Sequence, residues 1–170
     1  MVNLTQKERT LLEDQKHHEE LCIKKYGNYA EQAQDPQLKE MFTKFQQKEQ
    51  QHYNTIDQIL NGQMPQMQNQ GQSQQQQQGM GMQQNQQMQG QQMTSGKTGL
   101  INQSDIDLCN DMLATEKYIS HTYDTAIFEF RDKNIRNILN HIQKEEQEHG
   151  EELFKYMQSK GGYNIQGASS

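Results

Sequence analysis

The sequence has only two cysteines, Cys22 and Cys109, and they show neither metal-site spacing nor the density of a disulfide scaffold. A reduced intracellular chain is the expectation. No apolar run approaches the length needed to cross a bilayer, so no membrane span is expected. The opening stretch "MVNLTQKERTLLEDQ" lacks the apolar segment of a signal peptide, which predicts a chain made in the cytoplasm. Basic clusters are missing too. The net charge is -6 and the pI about 5.5, which argues against nucleic acid as a partner. Hydrophobic residues make up only 31%, with a mean hydropathy of -1.18. Averaged over a whole chain, that level would indicate disorder.

The deficit is not evenly spread. Residues 62–102 are almost entirely Gln, Gly, Met and Asn, as in "GQSQQQQQGMGMQQNQQMQGQQM". Such a run buries too little apolar surface to offset its ordering entropy, which predicts a disordered linker. The folding information then lies in residues 1–61 and 103–170, read as two half-bundles of one domain. The methionines of the linker are read as part of a spacer rather than a metal relay or oxidation sensor.

The two flanks repeat. A shift of 97 positions lays "DPQLKEMFTKFQQKEQQHYNTI" from Asp35 over "DKNIRNILNHIQKEEQEHGEEL" from Asp132. Leu38 then meets Ile135, Phe42 meets Leu139, Phe45 meets Ile142, Glu49 meets Glu146 and His52 meets His149. The same shift pairs Glu19 with Glu116 and Tyr26 with Tyr123. One helical hairpin is used twice.

Each half reads as two helices. Thr5-x-x-Glu8 and Ser104-x-x-Asp107 resemble capping boxes. Asp35-Pro36 and Asp132 place N-caps before the second helix of each half, and Gly62 and Gly161 follow its last apolar positions. Gly27 and Gly150 interrupt helical patterns at a modest propensity cost. The apolar stripe of the second helix runs Leu38, Met41, Phe42, Phe45, Ile56, Ile59; its twin runs Ile135, Ile138, Leu139, Ile142, Leu153, Tyr156. Four amphipathic helices with one long connection predict an all-α four-helix bundle built from two hairpins, ferritin-like in topology, with an up-down bundle carrying an oversized loop as the alternative. A chain returning along a helix of this length must cover roughly 35–40 Å, within easy reach of the linker.

Continuing either stripe at steps of three and four brings Glu49 and His52, or Glu146 and His149, onto the inward face. Residues three apart on a helix lie about 5–6 Å from each other, so each Glu-x-x-His can address one small object. Counting back from the turns at Gln34–Asp35 and Arg131–Asp132 puts Glu19 and Glu116 at the same heights; the core stripe of the first helix is expected to run from Leu12 through Glu19 to Ile23 and Tyr26, and that of the third from Leu113 through Glu116 to Tyr123. Glu19, Glu49, His52, Glu116, Glu146 and His149 therefore converge as a candidate metal site. Four carboxylates buried together repel one another and lose hydration, a cost that two divalent cations would cancel. Oxygen ligands with two imidazoles and no thiolate point to two iron or manganese ions. A lone Glu-x-x-His is usually a solvated helix face; the weight here comes from all six positions being filled on inward stripes. Tyr26 and Tyr123 read as core packing, and His17, His18, His121 and His141 as surface or flanking residues. No catalytic residue is assigned.

The stretches "DMLATEKYISHTYDTAIFEFRDKNIRNIL" and "MQSKGGYN" in the second half, and more loosely "AQDPQLKEMF" in the first, carry a resemblance to the coat F family of bacterial spore coat proteins. The resemblance implies a ferritin-like fold and a place in the coat of an endospore, with other coat proteins as partners and a homodimer as a further candidate. Two readings follow: a structural coat component with a carboxylate-bridged di-metal site, favoured, or a di-iron or di-manganese redox enzyme of peroxidase, catalase or oxidase type that protects the spore.

Overall fold

The computed structural model describes residues 2–65 and 103–163. From residue 66 to 102, the segment expected to be a linker lies outside the described residues. Four helices make up the fold: α1 Gln6–Gln32, α2 Pro36–Leu60, α3 Gln103–Glu129 and α4 Lys133–Ser159. The local chemistry explains their ends. Thr5 caps α1 through a complete capping box, in which Glu8 returns a bond to the Thr5 backbone N–H at 2.7 Å. Asp35 accepts from the Gln37 N–H, with Pro36 at the first helical position, and Asp132 accepts from the N–H groups of Asn134 and Ile135. Gly62 and Gly161 take φ of 80° and 74°, the left-handed conformation that glycine permits just past a helix end. The start of α3 differs from expectation: the helix begins at Gln103, so Ser104 is a helical residue and not its N-cap.

The helix order has one long crossover. α1 packs antiparallel on α2, and α3 on α4, through the short turns at 33–35 and 130–132. α1 also packs on α3 and α2 on α4. Contacts along α1 and α3 run in opposite directions, from Gln34 N–H with Asp105 at one end to Lys7 with Glu129 at the other. Along α2 and α4, Asp35 accepts from the Tyr156 hydroxyl, while Lys48 pairs with Glu145. α2 and α3 therefore run in the same direction, so the end of α2 and the start of α3 lie at opposite ends of the bundle. That is the ferritin-like arrangement.

The repeat becomes an approximate two-fold relation in space. Glu8 accepts from the Arg131 backbone N–H at 3.0 Å, and its counterpart 97 positions on, Asp105, accepts from the Gln34 N–H at 2.9 Å. Each hairpin's first helix thus holds the other hairpin's turn. The core is the expected stripe on α2 and α4, with Met41 only partly buried at its edge. On α1 and α3 the buried row is Leu12, Gln15, Glu19, Cys22, Tyr26 and Ile106, Cys109, Met112, Glu116, Ile119, Tyr123. Cys22 and Met112 take the places expected for Ile23 and Leu113, which are half-buried one position on. Gly27 has a packing reason: a Cβ there would lie 2.5 Å from the Gln46 amide nitrogen, which donates to the Ile23 carbonyl.

Burial alone would push the Glu8 carboxyl up, but hydrogen bonds from Arg131 and Thr5 outweigh it and bring it down to about 2 from an ordinary 4.5. A depressed carboxyl adds stability that is fully present above pH 4.5 and is lost as pH falls toward 2. Glu8→Gln should cost about 2 kcal/mol at neutral pH and flatten this acid limb. Urea unfolding at pH 7 and pH 3 checks it; an unchanged pH dependence would contradict the assignment.

Candidate metal centre

All six residues singled out from the repeat meet at the middle of the bundle. Glu19 comes from α1, Glu49 and His52 from α2, Glu116 from α3, and Glu146 and His149 from α4. Glu19, Glu49 and Glu146 are 0% exposed, and His149, the most open, is 5% exposed. Their ligand atoms form two overlapping groups, Glu19–Glu49–His52–Glu146 and Glu49–Glu116–Glu146–His149, each with its atoms within 4.8 Å of one another. Glu49 and Glu146 belong to both groups. Neither group contains a cysteine, although Cys22 is buried one turn from Glu19.

The two groups mirror each other. His52 Nδ1 lies 2.9 Å from Glu146 Oε1 and 3.6 Å from Glu19 Oε2; His149 Nδ1 lies 2.8 Å from Glu49 Oε1 and 3.8 Å from Glu116 Oε1. The two imidazoles face each other at 6.1 Å between ring centres. Despite these approaches, eight buried atoms lack any partner of hydrogen-bond geometry: Glu19 Oε2, Glu116 Oε2, both oxygens of Glu49 and of Glu146, and Nδ1 of both histidines. All eight belong to the six residues of the two overlapping groups.

The surrounding shell fixes the ligands. The Tyr26 hydroxyl donates to Glu116 Oε1 and the Tyr123 hydroxyl to Glu19 Oε1, each reaching across from the other hairpin. Each bond leaves the second oxygen of that carboxylate without a hydrogen-bond partner. The His52 Nε2 is held at 2.8 Å by Glu145, which also pairs with Lys48. Without a cation, the charges balance through protons. Burial and the neighbouring negative charge of Glu146 drive the carboxyls of Glu19 and Glu116 well up. Burial would also raise Glu49 and Glu146, but the imidazoles beside them win and lower both. Burial would lower the two histidines; the adjacent carboxylates overcome it, raising His52 far up and His149 to about 9.

Sequence reasoning placed the six but missed part of their shell. Tyr26 and Tyr123 were expected in the core, where they are, yet they also orient the two outer carboxylates. Their common spacing of seven residues beyond a repeated Glu was the available signal. Glu145 had a fainter one, as an acid facing Lys48 where the repeat departs from itself. His17, His121 and His141 are exposed and His18 half-buried, as expected.

Fold and centre together define a four-helix bundle with a buried carboxylate–histidine cluster. Residues 104–166 match the family model described as the Coat F domain, which bears out the resemblance read from the sequence of the second half. The first hairpin lies outside the matched residues. No curated protein and no solved structure matches the chain.

Tyr26→Phe or Tyr123→Phe strips a buried carboxyl of its bond and should lower stability by about 1–2 kcal/mol each. Denaturant unfolding measures this; a loss under about 0.5 kcal/mol, the level of a surface change, would show that these hydroxyls are not needed.

Proposed function

We propose that the protein is a component of the bacterial endospore coat whose ferritin-like bundle holds a carboxylate-bridged pair of iron or manganese ions. Glu19 and His52 would hold one ion and Glu116 and His149 the other, with Glu49 and Glu146, which belong to both groups, shared between them. The observation that carries this reading is the set of eight buried, unpartnered oxygen and nitrogen atoms, all from these six residues. A buried acceptor without a partner costs about 1–3 kcal/mol, more when charged, and native proteins keep such groups few. Two divalent cations satisfy all eight atoms and balance four carboxylates. A ligand set of carboxylates and imidazoles without thiolate suits iron or manganese, and two Glu with two Glu-x-x-His is the ligand pattern of di-iron and di-manganese bundles.

The Coat F match supports a coat location, with other coat proteins as partners and a second copy of the chain as a further candidate. Among the described residues, no helix is long and apolar enough to cross a membrane. Residues 62–102 serve as the crossover between the two half-bundles, which together form one domain.

A second reading, a di-metal redox enzyme that removes peroxide or reduces oxygen for the spore, draws support from a pocket of about 320 Å³ lined by Glu116 and Glu146. Bound as a pair, iron or manganese would supply the two-electron chemistry such a reaction needs. The chain's own part is to hold the bridging carboxylates, orient Glu19 and Glu116 through the tyrosines, and keep the centre dry.

Protein purified without a histidine tag should carry two iron or manganese ions per chain by elemental analysis, and fewer than one after Glu49→Ala or Glu146→Ala. The melting temperature of the metal-free chain should rise by several degrees with excess manganese(II) or iron(II), because the ions bind only the folded state. Absent metal and an unmoved melting temperature would sink the di-metal reading. Hydrogen peroxide consumption by the loaded protein, lost in the same variants, would favour the enzyme; none would leave the coat role. A fluorescent fusion that fails to gather on the spore would overturn the coat assignment.

A further inference from the structure

The two halves of the centre look alike until the repeat is followed one layer outward, where it breaks twice at the site. The first break is behind the histidines. His52 Nε2 is held at 2.8 Å by Glu145, and Glu145 is held by Lys48 at 3.0 Å. The counterpart of Glu145, 97 positions earlier, is Lys48 itself, a cation with no lone pair to offer His149. Among the described residues, His149 has no hydrogen-bonded carboxylate behind it; its ring lies instead against Phe45, 4.4 Å between centres. A carboxylate behind a ligating histidine fixes the ring and raises its basicity, and losing it typically costs 10–100-fold in metal affinity.

The second break concerns access. The pocket of about 320 Å³ is bounded by Leu113, Gly150, Glu116 and Glu146, the last two being ligands of the centre. Its two distinguishing positions are Gly150, with no side chain, and Leu113. Their counterparts in the first hairpin are Tyr53 and Lys16. There the Lys16 ammonium sits 4.9 Å from the centre of the Tyr53 ring and pairs with Asp57 at 2.5 Å, so side chains occupy both positions. A Cβ at Gly150 would stand 3.4 Å from Leu113, an ordinary contact, whereas a longer side chain would extend into the pocket.

Resting on the di-metal reading above, we propose that the two positions are unequal. A divalent cation loads first and most tightly between Glu19 and His52, where Glu145 locks the imidazole and Tyr53 covers the side. A second divalent cation loads between Glu116 and His149 through the Gly150 pocket, binds more weakly and exchanges faster. Glu145 acts as a positioning residue for the first ion, and Gly150 keeps the route for the second one open.

Manganese(II) titration of the metal-free full-length chain, followed by calorimetry and electron paramagnetic resonance, tests this. Two steps are expected, at least about tenfold apart, given the size of such shell effects. One equivalent should give the signal of an isolated manganese(II), and the second should replace it with that of a coupled pair. Glu145→Gln should weaken the first step about 10–100-fold and leave the second nearly unchanged. Gly150→Leu should slow loading of the second ion by stopped-flow while leaving the first ion and the final stoichiometry alone. Two steps of equal affinity in the parent chain would overturn the proposal, as would Glu145→Gln weakening both steps alike, or Gly150→Leu slowing both ions or neither. In each of these results two ions still bind and the di-metal reading stands; a chain that binds no manganese removes both.

Discussion

Four carboxylates buried at one height inside a narrow bundle constrain everything built around them. Each has lost its water, and each raises the cost of ionising the next. The protein answers only part of that cost with its own groups. Two tyrosine hydroxyls satisfy one oxygen each of Glu19 and Glu116, and two imidazoles lie close to Glu49 and Glu146 without pairing with them in hydrogen-bond geometry. What is left over is concentrated: no oxygen of the two central carboxylates has a partner in hydrogen-bond geometry, and both residues belong to each of the two overlapping groups. A cluster kept for packing alone would have been relieved by apolar side chains of similar size, which often stabilise a core.

The rest of the architecture follows from placing that cluster by repetition. One hairpin, used twice about an approximate two-fold, brings an outer Glu from α1 and from α3 against a Glu-x-x-His from α2 and from α4. The same relation supplies the cross-bracing. Tyr26 reaches Glu116 as Tyr123 reaches Glu19, and Glu8 holds the second turn as Asp105 holds the first. Each half is therefore completed by the other, which ties formation of the centre to docking of the hairpins. The relation is kept in the ligands and broken just outside them, at Lys48 against Glu145 and at Tyr53 against Gly150. Differences at those places change how a centre behaves without changing whether it can form.

Much of this was legible in the sequence because helical repetition is a long-range signal that survives without an alignment. The 97-residue offset identified both hairpins, the caps at Thr5, Asp35 and Asp132 bounded three of the helices, and step-of-three-and-four spacing put all six polar residues on inward faces. Less legible were features set by the neighbouring helix. On α1 and α3 the rotation was off by one position, Cys22 for Ile23 and Met112 for Leu113, because those helices carry weakly apolar faces and only packing settles which residue turns in. The start of α3 was misplaced by the same kind of local ambiguity. The hydrogen-bonding roles of Tyr26, Tyr123 and Glu145 depend on which helices become neighbours, and only the one-crossover topology brings them to their partners. Gly27 and Gly150, bare propensity costs in the sequence, acquire reasons only once Gln46 and the pocket beside Leu113 are in view.

The central claim is that the buried carboxylates exist to hold a pair of metal ions. Crystals of the full-length chain loaded with manganese(II) or iron(II), with anomalous diffraction recorded at the metal edge, address it most directly. The account predicts two anomalous peaks about 3.5–4 Å apart, both bridged by Glu49 and Glu146, one beside Glu19 and His52 and the other beside Glu116 and His149. A loaded crystal with no peak among these residues, its carboxyls and imidazoles hydrogen-bonded to one another instead, would contradict it.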